Sequence, residues 1–377
     1  MELNLFNTLS LFYLFAASIL ILFLLTSKTE RKLSNILLSV YLLLVIQDNG
    51  AQFTTALVYS NYPVLGMIIS QTTFLLAPAL YLFVKSSVYK DFKLSRNTLL
   101  HLLPMGIINL VLLNDYYLPL YINPDTDWIE LINTDRVINT IYISLHIQIF
   151  TYYFFCFRLL YRYKHLLQEN YASPKLDNYK WLQRLITVLF AVDLIATFKN
   201  IIRFSEKESL FTVLTFVVSA AAVLIVIWLV LQALKKPEVF IGVDSNIQLI
   251  RNINSEDNNK QLPEIIQKLE NHMKINEPFM DSSLSIYDLA KQINVPSREL
   301  SVAINLHLDK HFFDYVNEYR IKKAMDIFKT TSDEKLTVLE VLYEVGFNSK
   351  SSFNTAFKKF TGITPSEFKK KAIDSAA

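Results

Sequence analysis

Long apolar runs dominate the chain from its start to Leu234. A helix needs about 20 mostly apolar residues to cross the hydrocarbon core of a bilayer, and about seven runs of that order stand between charged or turn-rich breaks. The runs cover residues 3–25, 33–56, 64–84, 99–113, 137–160, 181–198 and 210–234. The pattern therefore predicts an all-α protein that begins with a polytopic bundle of about seven transmembrane helices.

The polar mixture becomes ordinary after Lys235, which marks a change of domain. Hydrophobic residues make up 52% of the 377-residue chain and charged residues only 19%, which is too apolar for a typical soluble protein. Residues 252–260 are rich in Asn and lack apolar periodicity, as a linker does. We therefore predict a transmembrane sensor domain over 1–236, a cytoplasmic linker over 237–261 and a second domain over 262–377.

The placement of basic residues predicts the orientation, because Lys and Arg in short loops stay on the cytoplasmic side. Basic residues follow the first, third and fifth runs, whereas the loop after the second run is uncharged and the loop after the fourth is acidic. The loop after the sixth run, with Lys199 and Arg203, fits this pattern least well. The sequence predicts a multi-pass protein of a bacterial inner membrane, with its N-terminus outside and its C-terminal domain in the cytoplasm.

Acidic groups inside the predicted spans are candidates for sensing a signal. Asp48 and Asp193 fall at bilayer depth, where burial of a carboxylate is costly and usually marks a pathway, a pocket or a pair. Neutral polar residues in the spans are more often explained by hydrogen bonds between helices. The acidic, aromatic segment 115–135, which includes Trp128, is either the outer part of a sensor or a segment at the lipid interface.

A repeated helical pattern follows the linker. Ser285 and Asp288 have the spacing of a capping box, Asn294 tolerates a left-handed turn, and Pro296-Ser297 can begin a second helix. The same order returns with Thr337 and Glu340, and Gly346 takes the turn position. The pattern predicts two helix-turn-helix units in tandem.

Each predicted second helix has a face left over after its core positions are assigned. In the first unit Leu300, Ala303 and Ile304 face the core, and in the second four phenylalanines do so: Phe347, Phe353, Phe357 and Phe360. The outward residues of the first unit are then Arg298, Ser301, Val302 and Asn305. Those of the second unit are Lys350, Ser351, Asn354, Thr355 and Lys358, with Lys359 nearer the end of the helix. Lys and Asn on an exposed helical face suit phosphate and base contacts.

The second unit carries a family resemblance. The residues concerned are Tyr343-Glu344-Val345-Gly346-Phe347, Ser352-Phe353, Phe357-Lys358-Lys359-Phe360, Gly362 and Thr364-Pro365-Ser366-Glu367-Phe368. They resemble the C-terminal signature of the AraC/XylS family, and Asn317-Glu318-Tyr319-Arg320 is similar to part of that family's connecting helix. The resemblance covers about residues 262–370.

The resemblance implies that each unit places its second helix in the major groove of double-stranded DNA, about one helical turn apart. It implies base-facing roles for Arg298, Ser301 and Val302 in the first unit, and for Lys350, Ser351, Asn354 and Thr355 in the second. Val302 stands where the family often has Arg, Leu342 replaces a small Ala, and Pro296 replaces a capping Ser. We therefore expect the second unit to dominate sequence preference.

No catalytic constellation, cofactor motif or metal-ligand spacing is apparent. Cys156 is the single cysteine, and His101 and His146 stand alone in sequence. We expect a non-enzymatic, membrane-bound, sequence-specific transcription regulator that couples an extracytoplasmic or intramembrane signal to gene expression. Its expected partners are double-stranded DNA, the lipid bilayer, an unidentified signal ligand or protein, and a second copy of the chain. The alternative is a transporter or receptor whose C-terminal domain is a protein-interaction module without DNA recognition.

Overall fold

The computed structural model describes residues 5–27, 32–50, 55–89, 91–123, 125–173, 177–203, 205, 207–235, 262–330 and 336–376. The predicted linker 237–261 lies outside these residues. Every named element in the described part is helical, and one isolated bridge joins Tyr171 to Ser285. The all-helical fold class is confirmed for these residues.

The chain divides into two compact units. The first comprises residues 1–161 and 177–245, and the second residues 162–176 and 246–377. The predicted domain limits stay a prediction, and the units differ from them in one respect. The segment 162–176, which the prediction placed in the N-terminal domain, groups with the C-terminal unit.

The helices up to Lys235 vary in length from 5 to 36 residues. They are α1 (Leu5–Thr26), α2 (Lys32–Asn49), α3 (Pro63–Ser70), α4 (Leu76–Val88), α5 (Leu103–Val111), α6 (Leu118–Ile122), α7 (Trp128–Ile132), α8 (Asp135–Asn170), α9 (Asp177–Ile202) and α10 (Glu208–Lys235). Shorter 3-10 or π-helical stretches occupy Thr55–Tyr59, Gln71–Leu75, Arg96–Leu102 and Leu113–Tyr117. Helix α1 packs against α2 and α10, and α2 also packs against α4.

The predicted count of seven membrane-crossing helices is not confirmed by the described helices. Within the described ranges, five helices are long and apolar enough to cross a membrane: Thr8–Thr26, Pro63–Val88, Asp135–Asn170, Asn178–Ile202 and Glu208–Gln232. A sixth is added if Arg96–Val111 and Leu113–Ile122, bent by 46°, form one span. Most of the run 33–56, through Asn49, forms α2, but Lys32, Gln47 and Asp48 near the ends of this helix lower its apolar character. The count of seven is therefore not confirmed.

The second unit is built around two apolar cores that share one helix. Its helices are α11 (Leu262–Asn276), α12 (Ile286–Gln292), α13 (Ser297–Val302), α14 (Phe312–Thr330), α15 (Val338–Glu344), α16 (Lys350–Thr361) and α17 (Pro365–Ala376). The first half of α14 gives Phe312 and Val316 to the first core, and its second half gives Ile321 and Phe328 to the second. Helix α14 therefore connects the two cores of this unit through packing as well as through the chain.

Candidate nucleic-acid interface and candidate sensing cavity

The first helix-turn-helix unit begins at the predicted capping box. The Ser285 hydroxyl accepts a bond from the Asp288 N–H at 3.3 Å, and the Asp288 carboxylate accepts one from the Ser285 N–H at 3.2 Å. Asn294 takes a left-handed conformation with φ of 52°, and α13 follows Pro296. Each of these local predictions is confirmed.

The exposure predicted for the second helix of this unit is wrong at two positions. Ser301 is 7% exposed and Val302 only 4%, and Val302 belongs to the first core. The cause is α11, which packs against α13 and against the π-helical turn Ala303–His307 that follows it. Helix α13 is therefore covered on more than the face that packs on α12. Arg298 is exposed, and half-buried Asn305 donates to the Ser301 carbonyl at 2.9 Å.

The second helix-turn-helix unit has the predicted capping box and turn. The Thr337 hydroxyl accepts from the Glu340 N–H at 3.1 Å. In return, the Thr337 N–H and hydroxyl donate to the Glu340 carboxylate at 2.7 and 2.8 Å, which lowers the pKa of Glu340. Gly346 has the predicted positive φ, at 89°. Ser349 caps α16 by accepting from the Ser352 N–H at 3.2 Å.

Helix α16 presents a polar face opposite its phenylalanine core. Phe347, Phe353 and Phe357 are buried. Phe360 is 44% exposed, so its predicted packing is wrong; at that point Lys322 lies 5.9 Å from the centre of its ring. The exposed residues on α16 include Lys350, Ser351, Thr355, Lys358 and Lys359, and Asn354 is half-buried beside them. This polar surface, together with exposed Arg298, is the candidate nucleic-acid interface.

Two lysines near this interface already have partners. The Lys359 ammonium lies 2.7 Å from the Asp314 carboxylate, and the Lys369 ammonium donates to the Leu336 carbonyl at 2.7 Å. The Lys359–Asp314 ion pair is exposed, so water and salt weaken the attraction between its two charges. Lys350 and Lys358 therefore offer positive charge to a phosphate at lower cost than Lys359 or Lys369.

Arg320 on α14 contacts both cores of the C-terminal unit. It is fully buried and donates to the carbonyls of Phe279 at 2.6 Å, Asp281 at 2.8 Å and Ala172 at 3.4 Å. The same guanidinium lies 5.5 Å from the centre of the Phe347 ring, in the second core. Burial lowers the pKa of Arg320 to about 10, so the guanidinium remains charged at neutral pH. Sequence reasoning noted this residue only as part of the family pattern.

Gly346 allows the turn of the second helix-turn-helix unit to lie close to the backbone of Phe279 and Met280. Replacing Gly346 tests this contact. A Cβ at this position would lie 2.6 Å from the Met280 carbonyl oxygen and 2.7 Å from that of Phe279. At Gly362, which also has a positive φ of 81°, nothing lies within 4 Å of an added Cβ. Gly362→Ala is therefore expected to cost only the strain of a left-handed residue, about 1–2 kcal/mol.

Gly346→Ala is expected to cost more, because the backbone of residues 279–280 must also move. Hydrogen–deuterium exchange of the amides in α15 and α16 measures both changes as a fall in the free energy of local opening. Equal effects of the two substitutions would contradict the close contact described for Gly346.

The predicted sensing acids line one cavity of the first unit. Its volume is about 160 Å³, and its wall includes Asp48, Asp193, Tyr41 and Cys156. Asp48 accepts a hydrogen bond from the Thr73 hydroxyl at 3.2 Å. Asp193 accepts one from the hydroxyl of Tyr153, which also lines the cavity. The structure therefore brings these two acids to a shared apolar chamber, although each also links neighbouring helices.

The third predicted sensing residue lies elsewhere. Trp128 is half-buried and stacks on Tyr59 with ring centres 4.9 Å apart. It packs against a different core, around Phe74 and Tyr116, and it is not part of the cavity wall. Asp115 in the same acidic segment pairs with Arg136 at 3.1 Å. Trp128 therefore contributes to packing in this segment, separately from the two acids.

Comparison with known proteins identifies the type of domain that contains the two helix-turn-helix units. Residues 289–371 match a family model described as a helix-turn-helix domain, and the similar proteins are AraC-family transcriptional regulators. The C-terminal part of the chain is an AraC-type domain. The match begins within α12 and ends in α17, so this AraC-type domain includes both helix-turn-helix units.

Two relatives show how far the likeness extends. The chain is 29% identical over 90 residues to the Msm operon regulatory protein of Streptococcus mutans, covering 24% of this chain and 31% of that protein. It is 41% identical over 67 residues to the uncharacterized transcriptional regulatory protein YesN of Bacillus subtilis, covering 18% of each. The chain thus spans under a third of the length of both relatives.

Two solved structures are similar to part of the chain. The C-terminal domain of AraT, a response regulator from Geobacillus stearothermophilus, is 27% identical, and the match covers 29% of this chain and 85% of that one, with a TM-score of 0.25. The C-terminal domain of the two-component response regulator yesN from Fusobacterium nucleatum is also 27% identical, and the match covers 28% of this chain and 98% of that one, with a TM-score of 0.25.

Proposed function

We propose that this protein is a membrane-bound, sequence-specific transcription regulator that binds double-stranded DNA through its AraC-type domain. The observation that carries the proposal is the exposed Lys, Ser and Thr face of α16 on a helix-turn-helix unit, backed by a buried phenylalanine core. Phosphate contacts from Lys supply affinity, and base contacts from residues such as Asn354 and Arg298 supply selectivity. Buried Ser301 and Val302 have no part in this surface.

The membrane attachment rests on the apolar helices that precede this domain. We propose seven crossings, counting α2 and the bent pair together with the five long helices. Helix α2 has 18 residues, which gives a length of about 27 Å at 1.5 Å per residue, close to the thickness of the hydrocarbon core. In this proposal the basic loops after the first, third and fifth crossings lie on the cytoplasmic side, and seven crossings put the AraC-type domain on that same side.

The cavity around Asp48 and Asp193 is the proposed sensing site. An apolar chamber of about 160 Å³ admits a small molecule, and two carboxylates favour one that carries a positive charge or hydrogen-bond donors. Occupancy would replace the bonds that Thr73 and Tyr153 now donate to these acids. Such a change would shift α2 and α9, the helices that carry the acids, relative to their neighbours.

Reporter fusions test the proposed membrane arrangement. A reporter joined after Lys236 is expected to be active only in the cytoplasm, and one inserted between Asp125 and Asp127 only outside it. The physical reason is retention of the basic loops on the inner side. The reverse pattern would separate the AraC-type domain from DNA and would overturn the proposal. Reporters active on the same side would show an even number of crossings between the two positions.

A further inference from the structure

Three potential metal ligands converge at the end of α8, in the second unit. His165 and Glu169 are four residues apart on α8 and so share a helical face. His311 comes from the segment that leads into α14, after the first helix-turn-helix unit. One ligand atom from each of the three lies within 4.8 Å of the others, and the two imidazole rings are 5.5 Å apart between centres.

The surroundings favour a ligand in addition to ordinary packing. Glu169 is only 6% exposed, so its carboxylate lies inside the packed structure, close to the two histidines. The Nδ1 atom of His311 is buried, and no hydrogen-bond partner for it exists among the described residues. Buried polar atoms of this kind are rare and call for an explanation. His311 also offers a ring nitrogen to the cluster with His165 and Glu169.

The position of α8 at this site does not depend on the three ligands. The Ala172 N–H donates to the Leu284 carbonyl at 3.0 Å, and the Arg320 guanidinium donates to the Ser173 hydroxyl at 2.7 Å. Ala172 is fully buried in the first core. The end of α8 is therefore held against the AraC-type domain by backbone and core contacts, which present His165 and Glu169 to His311.

The ligand set indicates the class of metal. Two imidazoles and a carboxylate suit Zn²⁺ and neighbouring transition metals, whereas Mg²⁺ and Ca²⁺ prefer oxygen ligands alone. Ligands about 2.0–2.1 Å from a tetrahedral Zn²⁺ lie about 3.3 Å apart, so small side-chain movements would close the set. Both histidines are half-buried, which leaves room for water as a fourth ligand.

We propose that His165, Glu169 and His311 bind a divalent transition-metal ion, such as Zn²⁺, that fastens the end of α8 to the first helix-turn-helix unit. The site lies outside the exposed face of α16, and metal binding does not depend on DNA recognition. Sequence reasoning predicted no metal, because the ligands come from segments far apart in the chain. Metal occupancy would couple the position of α8 to that of α13 and its following turn.

Metal titration of the full chain in detergent, free of any histidine tag and treated with chelator, tests the proposal. We expect one Zn²⁺ per chain by calorimetry, and Co²⁺ should give the visible absorption spectrum of a low-coordinate site. His311→Ala and Glu169→Gln are each expected to weaken Zn²⁺ binding by at least about 10- to 100-fold, the loss that removal of even an outer partner causes. His272→Gln is the matched control, because His272 lies on α11 and bonds to Gln292.

The outcomes separate a specific site from adventitious binding. Binding lost in His311→Ala and Glu169→Gln but kept in His272→Gln would support the site. Absence of Zn²⁺ binding by the wild type, or equal binding by all four proteins, would overturn it. His165→Gln provides a second test should His311→Ala fail to fold, as judged by circular dichroism. Because DNA is absent from these measurements, their failure leaves the proposed DNA-binding function untouched.

Discussion

Replacing Arg320 by Met is expected to lower the free energy of opening of α14 and α15 by about 3–5 kcal/mol, because several buried acceptors lose their charged donor at once. The substitution removes the donor for the carbonyls of Phe279, Asp281 and Ala172, and a buried carbonyl left without a partner costs about 1–3 kcal/mol. It also removes the cation from beside the Phe347 ring. The expected effect is large because the lost contacts join both cores of the AraC-type domain.

Hydrogen–deuterium exchange of the full chain in detergent measures this change, since it reports local opening without requiring the whole protein to unfold. Arg298→Met is the matched control, because Arg298 is an exposed arginine of the same domain and should change stability by no more than about 0.5 kcal/mol. Arg320→Lys keeps the charge but loses the planar fork of donors, so an intermediate effect is expected. If the amides of α14 exchange as slowly in Arg320→Met as in the wild type, packing alone holds the two cores together.

On DNA, Asn354→Ala is expected to cost about 1–3 kcal/mol on the preferred site and to relax selectivity there, because an Asn side chain can pair with an adenine edge. Binding to unrelated sequences should change less. Lys358→Ala should weaken binding to all sequences alike and lower the slope of log affinity against log salt by about one. Lys359→Ala should lower it less, because the ion pair with Asp314 already engages that ammonium.

Selection from a random pool by the purified chain first defines the preferred site. Single-base variants of that site at two salt concentrations then separate the two kinds of contact. Val302 is buried and cannot reach a base, so we expect the second unit to dominate selectivity, with Arg298 as the main base contact of the first. Selectivity that survives Asn354→Ala and is abolished by Lys358→Ala would refute the assignment of the recognition face.

Features set by neighbouring residues were predictable from the sequence. The capping boxes at Ser285 and Thr337, and the left-handed turns at Asn294 and Gly346, depend on contacts within a few residues. The helical periods that place Phe353 and Phe357 in the core are equally local. These features position α16, which explains why the polar face of this helix could be predicted from the sequence.

Features set by distant contacts were not predictable. Val302 is buried in the first core, and α11, which comes from an earlier segment of the chain, packs against α13. The three potential metal ligands are brought together by the return of α8 to the C-terminal unit, for which the sequence shows no pattern. Asp48 and Asp193 are intermediate: their cost in lipid indicated a site, but their shared cavity required the fold.

The attachment of residues 162–176 to the C-terminal unit bears on any regulation by proteolysis. A cut within 237–261 would divide the chain after α10, and a fragment diffusing away would leave Ala172 and Ser173 behind. Arg320 would then lose two of its five hydrogen-bond acceptors, and the first core would lose the Ala172 side chain. The freed AraC-type domain would be less stable than its attached form, so the fragment would be degraded sooner.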